Sequence, residues 1–145
     1  MELKVWWDED SDEPTFVRTL EELDALRVQA SAVDYPVLFE MLDASDPYRV
    51  ILNAGFFGDR GVLYYSGGEH RHGLYSKNPD DGFSAPENRL YYYMSSDREF
   101  PMTAEYPVDI VWQACKEYMM SDGERPTVVE WQPSSVLNPA SDAAL

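Results

Sequence analysis

Apolar and polar residues along this chain change period several times, from two to nearly four and back, and each period predicts an element. Leu3, Val5 and Trp7 alternate with Glu2, Lys4 and Trp6, the period of a half-buried strand. Asp8, Glu9, Asp10, Ser11, Asp12, Glu13 and Pro14 then break the pattern. Carboxylates this close repel one another, which predicts a solvated loop. Thr19 and Glu22 have the spacing of a capping box, with Leu23, Leu26, Ala30 and Val33 at helical intervals behind them. Together they predict a first helix over residues 20–32.

Beyond Pro36, Val37, Phe39 and Met41 share one face of a strand, and Tyr48, Val50, Leu52, Ala54 and Phe56 share one face of the next. Gly58, Asp59, Arg60 and Gly61 form a strong turn signal, so residues 62–65 are expected to pair back as a hairpin. Residues 66–88 are rich in Gly, Pro, Ser, Asn and Asp and predict mainly loop, with one short strand near Leu74 and Tyr75. Residues 90–94 predict a strand dominated by Tyr91, Tyr92 and Tyr93. Val108, Val111, Trp112, Cys115, Tyr118 and Met119 form a single helical stripe. Pro107 suits the first position of that helix, and Gly123 suits its C-terminal cap. Residues 127–132 predict a last strand, and residues 133–145, polar and poor in core residues, predict a disordered tail. Consecutive strands joined by hairpin turns imply a two-layer α+β fold. The expected architecture is a mostly antiparallel sheet of about six strands, with two main helices on one face, forming a single domain over residues 1–132.

Charge changes the picture more than composition does. Eleven Lys and Arg against 27 Asp and Glu leave −16 on 145 residues. A field of that sign repels nucleic acid and anionic membrane and speeds encounter with a basic protein. The single cysteine, Cys115, allows no intrachain disulfide. Residues 1–7 carry no basic or apolar leader pattern, so a cytoplasmic location is expected.

Catalytic chemistry finds little support. His70 and His72 would share a strand face, but zinc needs three or four ligands and no third histidine exists. Cys115 lies in an apolar helical stripe rather than an electropositive site. Glu40 and Glu130 read as solvent-facing strand residues, and Ser66, Gly67 and Gly68 lack the lysine of a phosphate loop. The remaining signal is aromatic. Adjacent tyrosines in a strand point to opposite faces, so one face is expected to carry tyrosines outward. Rimmed by acids, such a patch fits a basic protein partner rather than stacked bases.

Several segments together resemble a family of bacterial immunity proteins. They are Leu3-Lys4-Val5-Trp6; Gly58-Asp59-Arg60-Gly61 with Val62-Leu63-Tyr64-Tyr65; Leu74-Tyr75-Ser76; Tyr91-Tyr92-Tyr93; Glu99-Phe100-Pro101; and Gly123-Glu124-Arg125-Pro126 running on to Gln132. The family is the one numbered first in the Imm series of polymorphic toxin systems. The resemblance implies an α+β protein that binds and blocks a cognate toxin domain, often a nucleic-acid cytosine deaminase, in the producer's own cytoplasm. It brings no catalytic residues and no cofactor or metal site. The expected contacts are the acidic residues Asp8, Glu9, Asp10, Asp12, Glu13, Asp59, Glu69, Asp80 and Asp81, together with Tyr65, Tyr91 and Tyr93. The alternatives are a general acidic adaptor or nucleic-acid mimic, and a small hydrolase or metal enzyme built on His70 and His72.

Overall fold

The computed structural model describes residues 1–137. The N-terminal alternation forms β1 (Leu3–Trp6), which returns through the acidic loop as a short antiparallel partner, β2 (Thr15–Val17). Helix α1 (Leu20–Ser31) begins where the capping box places it. Thr19 Oγ1 accepts from the Glu22 N–H at 3.1 Å, and Glu22 Oε1 accepts from the Arg18 N–H at 3.0 Å. One unpaired amide of the first helical turn and the amide of the residue before the N-cap are thereby satisfied.

Next come β3 (Val37–Asp43), β4 (Val50–Phe57), β5 (Arg60–Gly67) and β6 (His70–Lys77), an antiparallel meander. A second hairpin follows, β7 (Arg89–Tyr93) with β8 (Ser96–Phe100). A two-residue strand, β9 (Tyr106–Pro107), leads into α2 (Val108–Met120), and β10 (Glu130–Pro133) pairs with β6. The spatial order is β10-β6-β5-β4-β3-β1-β2, with β9 against β5 and β7 against β3.

This corrects the expected sheet of about six strands: the described residues form ten, in one sheet with two helices, still α+β overall. Every pairing is antiparallel except a single parallel bridge between Val37 and Tyr92. The added strands are ones that composition conceals. β8 is Ser-Asp-Arg-Glu-Phe with only Phe100 buried, and β2 and β9 have three and two residues. β6 reads as loop by composition, yet pairing with β5 on one side and β10 on the other holds it extended. Its Gly73, at φ +82°, is required there, because a Cβ would lie 2.0 Å from the Tyr64 hydroxyl oxygen.

Both helices cover the same face of the sheet. Leu23 and Leu26 of α1 and Val111, Trp112, Cys115 and Tyr118 of α2 join Phe39, Leu52, Ala54, Phe56 and Leu63 in one buried cluster. Trp112 stacks on Phe56 at 4.2 Å between centroids, and Trp7 stacks on Phe39 at 4.9 Å. The Tyr118 hydroxyl donates to the Met41 carbonyl at 3.2 Å, so this large side chain is buried with its polar end satisfied.

The opposite face has a different cover. β1 ends opposite Glu40, which leaves the first residues of β3 without a partner on that edge. β7 occupies the gap: the Tyr92 N–H donates to the Pro36 carbonyl at 2.8 Å. The β7–β8 hairpin then lies across the sheet, packing Tyr91 and Phe100 on Leu38 and Val62. Leu38, Gly55 and Val62 form one row across three strands. Gly55 makes room for the ring, since a Cβ there would sit 2.6 Å from Tyr91 Cδ2.

Pro133 completes β10 and residues 134–136 make a short 3-10 turn, so regular structure continues past residue 132; residues 138–145 of the expected tail lie outside the described residues. No helix among the described residues is long and apolar enough to cross a membrane.

Candidate partner-binding surface

Where β7 bridges β3, apolar side chains stay uncovered. Leu90 and Tyr92 alternate with Tyr91, so when Tyr91 turns to the sheet they face outward, 43% and 37% exposed. Pro36 lies beside Tyr92 through the backbone bond above. Tyr35 precedes it in the chain, and Phe57 follows the Val37–Phe56 pair across the ladder. Tyr35 and Phe57 are 41% and 49% exposed. Phe57, Pro36, Leu90, Tyr92 and Tyr35 therefore form one stripe along this edge. Single exposed apolar residues are ordinary on a protein surface, but a contiguous row marks an interaction site.

One end of the stripe opens into a groove of about 660 Å³. Pro36, Phe57 and Leu90 line its sides, Glu87 and Glu99 stand at it, and Arg60, Arg89, Tyr91 and Glu105 converge beneath. Glu105 is 4% exposed yet fully partnered. Its Oε1 lies 3.3 Å from Arg89 Nε and 3.6 Å from Arg60 Nη1, and its Oε2 accepts from the Tyr91 hydroxyl at 2.8 Å. Burial, and then the Glu105 charge, push the Tyr91 phenol well above its ordinary pKa, so the hydroxyl remains a donor. The Arg60 guanidinium lies 4.2 Å from the Phe83 ring centroid and donates to the Phe83 carbonyl at 3.1 Å. This buried polar knot ties β5, β7 and the segment before β9 together under the groove.

At the other end, Glu9 meets Tyr35, Tyr92, Met94 and Ser95 around a shallower hollow. Partial burial raises the pKa of the Tyr35 phenol, and the charges of Glu9, Asp8, Asp10 and Asp34 raise it further. The acidic loop thus delivers its field to the stripe. The loop holds its own bend, with Asp8 Oδ1 accepting from the Asp10 N–H at 3.0 Å and Ser11 Oγ donating to the Glu13 carbonyl at 2.9 Å.

The family model of Immunity protein Imm1 matches residues 11–133. The chain belongs to the Imm1 family. It is therefore an immunity protein, of the kind that binds a cognate toxin protein. The matched span starts inside the acidic loop, after β1, Asp8, Glu9 and Asp10, and takes in the remaining strands and both helices. No curated protein matches the sequence.

Set against this surface, the residues expected to make contact fall into three groups. Asp8, Glu9 and Asp10 border the stripe, with Asp12 and Glu13 exposed further along the same loop. Asp59 is exposed in the β4–β5 turn beside Phe57, and Asp80 and Asp81 flank Phe83 next to Arg60. Glu69, in the β5–β6 turn, is at the far end of β5, seven strand residues or about 23 Å from Arg60.

Two tyrosines are corrections. Tyr65 is 5% exposed on the helix side, its hydroxyl donating to the Gly123 carbonyl at 2.9 Å. Tyr91 is 1% exposed, beneath the hairpin. Neither has surface to offer a partner. Tyr93 is half-buried on the same side as Tyr91, with Arg98 5.6 Å from its ring centroid. Burial and a hydrogen bond with Glu40 push its phenol pKa up. The parity of the tyrosine run was inverted: the middle residue, Tyr92, faces out.

Sequence reasoning missed Tyr35, Pro36, Phe57, Leu90 and Glu105. Phe57 carried a signal, since it follows Phe56 and must take the opposite face. Glu105 carried none. Burial pushes the Cys115 thiol up, which holds it protonated. His70 Nε2 stands 3.5 Å from Arg125 Nη1, and no group of three or more metal-ligating side chains converges among the described residues.

Proposed function

We propose that this immunity protein neutralises a basic toxin domain, of the nucleic-acid cytosine deaminase kind, in the producer's cytoplasm by covering its active site with the stripe and the acidic loop. The observation that carries this reading is the stripe itself, an exposed apolar row with carboxylates at both ends. Buried aromatic anchors supply most of the affinity in protein complexes, while rim charges steer encounter and choose the partner. A toxin acting on nucleic acid carries a cationic groove for phosphates, and a surface edged by Asp8, Glu9, Asp10 and Asp34 competes for it. The deaminase assignment comes from the family resemblance, and the charge is its support in this chain. No catalytic role is assigned to the protein.

The test is co-expression with the toxin domain encoded in the neighbouring reading frame. Cells are expected to grow when both are made and to die when the toxin is made alone. Purified toxin is expected to lose its deaminase activity at a one-to-one ratio. Toxin activity unchanged by excess immunity protein would refute the reading.

A further inference from the structure

The groove beside Leu90 is more specific than the stripe that leads to it. Resting on the immunity reading, we propose that it is a socket for a short toxin loop with an apolar tip and Lys or Arg flanking it. The size fits a short loop, since about 660 Å³ lies within the roughly 300–1,000 Å³ of built binding clefts.

The chemistry of the lining selects the tip. Phe57, Pro36 and Leu90 give the groove apolar walls, while the one buried carboxylate beneath them, Glu105, already has its partners. Glu105 has both guanidiniums and the Tyr91 hydroxyl as partners, so an apolar group can cover it without stranding that buried carboxylate, and the part-exposed guanidiniums keep contact with solvent. A cationic tip would meet Arg60 and Arg89 at the floor. An anionic tip would pass between Glu87 and Glu99 to reach it. Both signs are disfavoured inside, and an apolar side chain is not.

The rim selects the flanks. Glu87 and Glu99 both line the groove and are exposed, within reach of residues next to the tip, and Glu9 lines the neighbouring hollow with Tyr92. Glu99 is held in place, accepting from Asn88 Nδ2 at 2.9 Å. The socket is also preformed. Glu105 is fixed through its carboxylate and through its backbone carbonyl, which accepts from Asn78 Nδ2 at 3.0 Å. A floor that does not have to order on binding lowers the entropy cost of association.

The test titrates three capped pentapeptides, Gly-Lys-Leu-Lys-Gly, Gly-Lys-Ser-Lys-Gly and Gly-Glu-Leu-Glu-Gly, into the full-length isotope-labelled chain and follows its amide signals. The first is expected to move the signals of Phe57, Leu90 and Tyr92 at millimolar concentration. The other two are expected to bind about tenfold more weakly or not at all, as is the first against Leu90→Ser. Leu90 is exposed, so Leu90→Ser is expected to melt with the wild type. Equal responses to the Leu and Ser peptides, or to the Lys and Glu peptides, would overturn the socket. So would cognate toxin binding that Leu90→Ser leaves unchanged, an outcome under which the immunity function itself still stands.

Discussion

The two faces of the sheet are built from similar aromatic and aliphatic residues but are covered differently. The helix face is closed by α1 and α2: Trp112 stacks on Phe56 and Trp7 on Phe39, and the two pairs meet edge to face through Phe39 and Phe56. The hairpin face is closed where Tyr91 and Phe100 sit on the row of Leu38, Gly55 and Val62 and where Ala104 covers Ser76. At that margin the apolar stripe is exposed and the acids gather. In this domain the helix face supplies the larger buried core, and the edge of the partly covered face is the contact surface we propose.

The comparison can be broken in four places. The largest effect is expected on the helix face. Trp112→Ala removes the stacking partner of Phe56 and should cost about 3–5 kcal/mol in urea unfolding. Toxin affinity of the molecules that remain folded should change little, because Trp112 is 3% exposed and offers a partner almost no surface. Next is the buried knot. Glu105→Gln leaves Arg60 and Arg89 without their shared counter-charge and should cost about 2–3 kcal/mol, less than a fully buried pair because both guanidiniums keep some solvent. Amide exchange should accelerate in β7 and β8 well before β3 and β4, which would show that the hairpin is a separately stabilised unit.

Gly55→Val tests the same joint from beneath. The added side chain collides with Tyr91 and should cost about 1–3 kcal/mol while exposing the tyrosine, visible as a shift in its fluorescence and in hairpin exchange. Uniform loss across both faces would contradict the division drawn here. The smallest effect on stability is expected from Asp8→Asn, Glu9→Gln and Asp10→Asn together, within about 0.5 kcal/mol as for exposed substitutions generally. Their effect should appear in toxin association, as a slower on-rate with a shallower dependence on salt. An unchanged on-rate would return those charges to a role in solubility alone.

Much of the helix face was legible in the sequence, because both signals there are local. The capping box at Thr19 and Glu22 and the stripe from Val108 to Met119 fix their helices within a residue or so, and Pro107 falls one place before α2 rather than in its first position. The meander was legible through alternation and the turn at Gly58. The hairpin face was not, because its cover depends on non-local facts. β1 leaves the first three residues of β3 unpaired, and β7, docked in that gap, turns Tyr91 inward and Tyr92 outward. β6 and β8 are strands only because neighbours pair with them. Of the proposed contact surface, the acidic loop is readable as an exposed loop from its run of carboxylates, and the apolar stripe is not, since Tyr35, Phe57 and Leu90 are distant in sequence and meet only once the hairpin docks.

The central claim is that the toxin sits on the hairpin edge, and hydrogen exchange of the complex against the free protein tests it most directly. Protection on binding the toxin domain should concentrate in residues 8–13, 35–37, 57–60 and 89–94, with the outer surfaces of α1 and α2 unchanged. Protection centred on the two helices, with the stripe exchanging as in the free protein, would contradict it.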